Sequence, residues 1–246
     1  TVQTPFRIPG MADAVSYANA VNEALGYDGL APRYTQADIQ ALQNGTSPLA
    51  IVDWKNQILR KTAFNHDLNI SFDGANERMR YYVFANYTSN RGFFNNTDLN
   101  DGYSTQNMYS RANLRTNLDI DLTATTKLKL NLLGTLSESR IPGASVNLWD
   151  MIYSIPSAAF PVRTEDDSWG GSTTWAGTSN PVAQSQGAAY SKGHSRSLFA
   201  DLTLSQDLSG LLKGLGANFR LAYDNYSNIL EDHSKTYTYA GYATSW

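Results

Sequence analysis

The sequence lacks cysteine, lacks a long apolar run and carries little net charge. The absence of cysteine among its 246 residues excludes a disulfide framework and a thiolate metal site. A net charge of −3 leaves no basic footprint, so no nucleic-acid partner is expected. No run of about 18 apolar residues occurs, which excludes a transmembrane helix. Transmembrane strands remain open, because their alternating residues average out in hydropathy.

The most informative segment is 111–122, RANLRTNLDIDL, in which apolar and polar residues alternate strictly. Successive side chains of a strand point to opposite faces, so the segment predicts a strand with one apolar and one ionic face. Most strands have about 5–6 residues, and one of twice that length, when tilted, crosses a hydrocarbon core of about 30 Å. The apolar residues are Ala112, Leu114, Thr116, Leu118, Ile120 and Leu122.

The same alternation recurs along the chain. It is present in 126–136, 197–205 and 217–224, and in shorter form in 67–73, whereas 80–88 is aromatic on both faces. A register slip of one residue would turn the charges towards lipid, at about 2–4 kcal/mol for each Arg or Lys near the midplane. The recurrence favours an antiparallel transmembrane β-barrel segment.

The first quarter of the chain differs from the rest and predicts helices. Residues 12–25 carry apolar side chains at helical spacing, and 53–61 is a further helical candidate. Thr35, followed by Asp38, predicts an N-cap for a short helix over 36–43. A fourth short helix is predicted over 148–155 and is ended by Pro156.

The lengths of the predicted connections alternate. Connections 74–77, 124–125 and 208–214 are short, whereas 90–107 is long and 138–194 is very long. Outer-membrane barrels alternate short periplasmic turns with longer external loops. This series therefore predicts a strand before residue 5. It divides the chain into 1–65, the end of a first strand and a helical extracellular loop, and 66–246, barrel strands with a long extracellular loop at 138–194. The fold class is all-β with a small helical part.

The chain resembles the SusC/RagA family of TonB-dependent outer-membrane transporters of Bacteroidetes. The resemblance rests on DWKNQILRKTAFNHDLNISFDGANERMRYYVFANYTSNRGFF (53–94), YSRANLRTNLDIDLTATTKLKL (109–130) and IPSAAFPV (155–162). Trp169-Gly170 and Asn180-Pro181 follow in the same order, and TPFRIPGMADAVSYANAVNEAL (4–25) resembles the family's segment just after the plug domain. Tryptophan, histidine and aromatic positions agree in order over most of the chain.

The resemblance implies energised import of glycans, or of oligopeptides in some members, across the outer membrane. It implies a SusD-like surface lipoprotein that caps the barrel, and TonB acting from the periplasm through a plug folded inside a 22-stranded barrel. This chain has only about six predicted strands and no recognisable plug. We therefore expect it to be an internal fragment that comprises the first external loop and the early strands. The same residues leave glycan and peptide substrates open.

Aromatic and charged residues supply the candidate sites. Aromatic faces suit sugar rings, so the substrate candidates are Trp149, Tyr153, Trp169 and Trp175, with packing onto the barrel rim or the lipoprotein as the alternative role. The candidate partner contacts are Tyr17, Tyr27 and Tyr34. The lumen-facing polar candidates are Arg111, Arg115, Asp119, Asp121, Lys127 and Lys129.

Catalytic and metal chemistry are not expected. Asp119 and Asp121 resemble an acid/base pair in spacing, but pairing with Arg111, Arg115 or Lys127 explains them more simply. The three histidines, at 66, 194 and 233, are far apart and lack ligand spacing. We predict no enzyme activity, no cofactor and no metal.

Two further functions fit parts of the pattern. A small self-contained barrel could act as a passive pore or adhesin, although the helical first quarter and the very long loop leave too few strands. A secreted β-sandwich could bind or hydrolyse polysaccharide, with the polar strand faces in water. The sandwich requires the apolar faces to be buried in a core, which a structure decides.

Overall fold

The structure of the chain is a computed structural model that describes residues 1–5, 9–47, 51–95, 97–98, 100, 102–143, 147–172, 175 and 180–242. For residues 240–242 it describes the backbone only. The strands are β1 (Val2–Gln3), β2 (Ala63–Ala75), β3 (Met79–Arg91), β4 (Met108–Asp121), β5 (Thr126–Pro142), β6 (Trp169–Ser172), β7 (Ala189–Asp207), β8 (Gly216–Ser234) and β9 (Tyr239–Tyr242). The helices are α1 (Ala14–Tyr27), α2 (Gln36–Asn44), α3 (Trp54–Ile58), α4 (Leu148–Ser154) and α5 (Pro181–Gln186).

Seven of the strands form one antiparallel sheet in the order β1-β2-β3-β4-β5-β7-β8. Successive strands of this sheet therefore pair antiparallel, with short turns after β2, β4 and β7 and long connections after β1, β3 and β5. The strand predicted before residue 5 is β1, whose Val2 pairs with Phe64 of β2. Strands β6 and β9 form a separate parallel pair. The architecture confirms the mostly antiparallel, all-β fold with a small helical part.

The strands are longer than the alternation predicted. Strand β5 continues beyond Leu136 to Pro142, and β7 begins at Ala189 rather than near 197. Glu138 and Arg140 stand on the same face as Leu136, so the apolar pattern ends there, yet both residues keep their backbone pairing with β7. The third long connection therefore runs over 143–188, which is shorter than the predicted 138–194.

The register of the strands places apolar and polar side chains on opposite faces of the sheet. Leu118 of β4 pairs with Leu130 of β5, which pairs with Leu202 of β7, and Leu221 of β8 follows in the same row. We call this the apolar face. Asp119 and Lys129 pair one residue further along, and with Asn113 they define the polar face. The alternation predicted for each strand is thus in phase across the sheet.

The apolar face has no core behind it. Leu114 is 53% exposed and Phe219 is 59% exposed. Among the described residues, every buried hydrophobic side chain lies in a helix, in a connection, or at the first residue of β2 or β7. Leu118, Leu130 and Leu202 are half-buried and do not pack into a closed interior. The sheet therefore presents its hydrophobic surface outwards.

Helix α2 has the predicted N-cap. Thr35 accepts a hydrogen bond from the Asp38 amide while its own amide donates to the Asp38 carboxylate, which confirms the capping box of α2. Helix α3 is shorter than the predicted 53–61, because the chain becomes extended at Leu59, which pairs with Phe94. Helix α4 ends at Ser154, before Pro156. None of the helices in the described ranges is long and apolar enough to cross a membrane.

Candidate functional site

Three connections at one end of the sheet pack into a single body, which we call the cap. They are the described residues of 4–62, 92–107 and 143–188, which join β1 to β2, β3 to β4 and β5 to β7. Trp54 from the first connection and Ile152 and Phe160 from the third are at most 3% exposed in its core. The Trp54 and Phe160 rings lie 5.2 Å apart. The cap is therefore a small hydrophobic domain built from separate loops.

Hydrogen bonds join the three connections directly. The Trp54 indole N–H donates to the Pro156 carbonyl at 3.1 Å, and the Val52 amide donates to the Ser157 carbonyl at 2.8 Å. The Arg60 guanidinium donates twice to the Phe94 carbonyl, at 3.0 and 2.8 Å. Buried polar groups need such partners, because an unpaired group costs about 1–3 kcal/mol. The three connections therefore hold one another in a fixed arrangement.

A cleft of about 290 Å³ opens in the cap between the start of α1 and segments 51–55 and 152–157. Tyr17 and Tyr153 both line it, although they are 136 positions apart in the sequence. Its volume is near the lower end of the range for small-molecule sites, so it suits one side chain or one sugar ring. Lining residues that carry charge are Asp13, Asp53 and Lys55.

The carboxylates of the cleft also cap helices. The Asp13 carboxylate accepts from the Ser16 amide at 2.7 Å, and this hydrogen bond lowers the pKa of Asp13 from its usual value. Asp53 accepts from the Asn56 amide at 3.0 Å. Both carboxylates are thus held at the rim by the helices they begin. The Ser157 hydroxyl, which lines the same cleft, is buried and has no hydrogen-bond partner among the described residues.

The four predicted substrate residues all pack, partly buried, against the larger cap core. Tyr153 lines the cleft, whereas Trp149 lies 6.0 Å from Phe94, ring centre to ring centre. Trp169 is flanked by Arg163 on one face and by Tyr237 at 6.2 Å. The main-chain amide of Trp175 donates to the Ser172 hydroxyl at 3.0 Å. The structure brings these residues onto one core but only Tyr153 onto the cleft.

Burial around Trp169 also affects its neighbour. Loss of solvent raises the pKa of the Tyr237 phenol to about 12, because the charged form is disfavoured away from water. Tyr237 follows β8, so it ties the end of the sheet to the third connection. The Trp169 site is therefore built from residues that sequence proximity does not reveal.

The three predicted partner residues lie in different environments. Tyr27 is 82% exposed, and its hydroxyl donates to Glu23 at 3.0 Å. Tyr17 is half-buried with its ring edge-on to Tyr34, at 6.5 Å between centres. Tyr34 is buried, and burial raises the pKa of its phenol. Contact of these residues with a partner stays a prediction.

The six predicted lumen residues share the polar face. Lys127 pairs with Asp121 at 3.7 Å, while the partner of Asp119 is Arg80, at 3.9 Å, rather than a residue of β4 or β5. These ion pairs are exposed and contribute about 0–1 kcal/mol each. The register places all six on this face, and their contact with a lumen stays a prediction: Arg111, Arg115, Asp119, Asp121, Lys127 and Lys129.

The polar face also carries a ladder of side-chain amides that the sequence did not single out. Asn86 donates to Asn69 at 2.8 Å, Asn113 donates to Asn86 at 2.9 Å, and Thr135 donates to Asn113 at 3.0 Å. The ladder crosses four strands in one row. Only the register could reveal it, because its members are at least 17 positions apart. It gives the face donors and acceptors as well as charge.

Two histidines that looked unrelated in sequence lie close in space. His194 contacts one oxygen of Glu231 at 3.5 Å, and His233 contacts the other at 3.2 Å. No group of three His, Asp or Glu side chains in the described ranges is arranged to hold a metal ion. The two imidazoles and the Glu231 carboxylate form one cluster at the cap end of β7 and β8.

Comparison with known proteins gives a structural likeness. No family model and no curated protein matches the chain. The RagAB peptide transporter matches with a TM-score of 0.57 and 12% sequence identity, over 92% of this chain and 27% of that chain. The RagAB peptide importer in its "closed-closed" state matches with a TM-score of 0.49 and 17% identity, over 86% of this chain and 22% of that chain. This chain thus has the fold of a RagA/SusC-like segment and spans about a quarter of the matched chain.

Proposed function

We propose that this chain forms part of the wall and the external cap of an outer-membrane β-barrel importer. In this proposal, the importer is TonB-dependent, belongs to the SusC/RagA type, and takes up oligopeptides or glycans. TonB would act through a plug region outside this chain, and a SusD-like lipoprotein would sit over the cap. The remaining barrel strands, up to about 22 in this type, would close the open sheet edges, because unpaired backbone groups in lipid are costly.

The observation that carries the proposal is the two-faced sheet. Strands of 13 to 19 residues carry a continuous apolar face with no core behind it and an opposite face of amides and charges. In water such a face would be an aggregation hazard, whereas in a bilayer it is solvated by acyl chains. The likeness to part of the RagAB peptide transporter supports the same fold.

The cap supports a role in substrate or partner recognition. Its cleft combines the aromatic rings of Tyr17 and Tyr153 with the carboxylates of Asp13 and Asp53. It lies at the end of the sheet where the long connections emerge, which is the external end of an outer-membrane barrel. We place capture of substrate, or contact with the lipoprotein, on this surface. Trp149, Trp169 and Trp175 hold its shape.

The sandwich alternative needs a second layer over the apolar face. The described residues contain one other sheet, the two-stranded β6–β9 pair, and Leu114 and Leu221 remain 53% and 56% exposed. A sandwich buries such residues in a core about 10 Å thick. The exposed apolar face therefore favours the membrane wall.

Site-directed spin labelling of the full polypeptide encoded by the gene, in outer-membrane vesicles, tests the proposal. Leu118→Cys and Asn117→Cys are adjacent on β4 but on opposite faces. A label at 118 should be accessible to dissolved oxygen and inaccessible to a water-soluble nickel chelate. A label at 117 should be accessible to the chelate. Equal access of the chelate to both positions contradicts the membrane wall.

Uptake tests the transport role separately. Cells that lack the gene should lose uptake of a fluorescent oligopeptide or of a labelled oligosaccharide, and a plasmid copy should restore it. The affinity-tagged protein should also retain a surface lipoprotein. Unchanged uptake of both substrate classes contradicts an importer.

A further inference from the structure

A groove of about 780 Å³ runs across the apolar face in the two rows that contain Gly134 and Leu136 of β5. Its floor consists of residues with little or no side chain, Ala85, Ala112 and Gly134, and Leu136 and Leu198 rise beside it. A Cβ atom at Gly134 would meet nothing within 4 Å, so the space above this glycine is open. The groove is therefore a depression beside larger apolar side chains of the same face.

An unpaired cation stands at the upper end of this groove. Arg196 is exposed on the apolar face, and its neighbours across the strands are Leu136 and Ser227. It makes no ion pair with any carboxylate in the described ranges. An arginine on a lipid-facing surface costs about 0–1 kcal/mol near the interface and about 2–4 at the midplane. Its place in the last leucine row is thus the shallow end of the apolar band.

The next rows on the same face are ionic but already paired. Glu138 contacts Lys192 at 3.5 Å and Arg140 at 3.8 Å. His194 lies between Glu138, at 3.8 Å, and Glu231, at 3.5 Å. These residues mark where the strands leave the hydrocarbon region, and the Glu138 carboxylate there has two cations of its own. The positive charge of Arg196 has no carboxylate partner in the part of the chain that the structure describes.

The groove continues towards these ionic rows. A second depression of about 390 Å³ shares Tyr87, Leu136 and Arg196 with the first and extends to Glu138 and His194. One apolar channel therefore opens, past an unmatched arginine, into a polar recess. The apolar groove suits the acyl chain of a lipid, and Arg196 with the polar recess suits an anionic headgroup.

We propose that the groove binds one anionic, phosphate-bearing lipid of the surrounding leaflet. An acyl chain would lie over Gly134 and Ala112, and the Arg196 guanidinium would donate to the phosphate, for which its planar fork is suited. The inference rests on the proposed function, since it requires the apolar face to meet lipid. The occupant is a lipid rather than a free phosphate ion, because most of the groove is apolar.

Native mass spectrometry of the full polypeptide in detergent tests the site. The probes are dioleoylphosphatidylglycerol and, as a control with the same acyl chains and no phosphate, dioleoylglycerol. Loss of a charged hydrogen bond should weaken binding of phosphatidylglycerol to Arg196→Gln by roughly tenfold. Gly134→Leu fills the groove and should weaken both lipids. Arg111→Gln removes the same charge from the polar face and should change neither.

The outcomes separate this inference from the proposed function. If Arg196→Gln and Gly134→Leu bind both lipids as the wild type does, while a label at position 118 still contacts lipid, the lipid site is wrong and the membrane wall stands. If the label at 118 contacts water, both are wrong. Binding that inorganic phosphate removes and Gly134→Leu leaves unchanged identifies a bare phosphate site, which overturns the proposal.

Discussion

The guanidinium carbon of Arg163 lies 3.4 Å from the centre of the Trp169 ring. Arg163 is fixed there because its guanidinium also donates to the Asp167 carbonyl at 2.6 Å. One face of the indole is therefore covered, and a sugar ring would have to displace the arginine before it could stack there. Trp169 acts first as a partner of Arg163 in the third connection.

A double-mutant cycle on Arg163 and Trp169 should show this coupling. A partly exposed cation–π pair contributes about 0.5–1 kcal/mol. Arg163→Ala and Trp169→Ala should each destabilise the cap. The stability lost in the double variant should be smaller than the sum of the two single losses by that amount. Thermal unfolding of the single and double variants measures the difference. Strict additivity contradicts the contact.

Charge on the apolar face should be costly at the middle of the sheet. If the apolar face meets lipid as proposed, Leu132→Arg, which introduces a cation at the centre of the leucine rows of β5, should destabilise the folded protein by about 2–4 kcal/mol. Asn131→Arg, one residue away on the polar face, is the matched control and should cost far less. Refolding equilibria in lipid vesicles provide the comparison, and equal losses would contradict the assignment of the faces.

Two glycines on the two sheets should respond differently to the same change. A Cβ at Gly170 in β6 would overlap the carbonyl oxygen of Pro161, whereas a Cβ at Gly134 in β5 meets nothing within 4 Å. Gly170→Ala should lower the melting temperature and expose the third connection to protease, since backbone must move. Gly134→Ala should leave both unchanged. A protease-resistant Gly170→Ala variant would contradict the close packing.

Helix α2 should be pH-sensitive through its capping box. The Thr35 hydroxyl and amide both donate to the Asp38 carboxylate at 2.7 Å and lower the pKa of Asp38. Because the folded-state pKa is depressed, this stabilisation is present above the unfolded value of about 4 and is lost as the pH falls through the lower, folded value.

Hydrogen exchange of the α2 amides, corrected for the intrinsic effect of pH, measures this change. In the wild type, the protection of these amides should decrease as the pH falls below about 4. Asp38→Asn should be less protected at neutral pH and show little further change on acidification. An identical pH profile in the two proteins would contradict a role for the carboxylate.

Trp54 should anchor the cap. It is 3% exposed, packs on Phe160 and donates to the Pro156 carbonyl. Trp54→Ala should cost about 3–5 kcal/mol, as is typical for a buried tryptophan, and should loosen all three connections at once. Limited proteolysis sites in 92–107 and 143–188 provide the measurement, and Tyr27→Ala, on an exposed residue, is the control. Cleavage confined to 4–62 would contradict a shared core.

The sequence predicted the sheet well where one face is continuously apolar. Leu118, Leu130 and Leu202 reveal their strands and their face because positions on one face of a strand repeat every second residue. The pattern stops at Glu138, since both faces become polar where the strands leave the apolar band, while backbone pairing needs no particular side chain. The alternation therefore predicted β5, β7 and β8 to be shorter than they are.

The cap was harder to predict. Helix α2 was readable because its signal, Thr35 with Asp38, is local. The shared core of Trp54, Phe94 and Phe160 brings together three connections far apart in sequence, and no periodicity records such contacts. The cleft is hidden for the same reason, because Tyr17 and Tyr153 meet only after the cap has formed.

The three connections of the cap form one core, and this has a consequence for evolution and for engineering. A single loop transplanted from a homologue would lack the residues of the other two connections against which it normally packs. The partners of Trp54 or Phe94 in the core would then no longer match. Caps built in this way should diversify as sets, with compensating changes in all three connections appearing together. Chimeras made by swapping the whole triplet should export and assemble where single grafts do not.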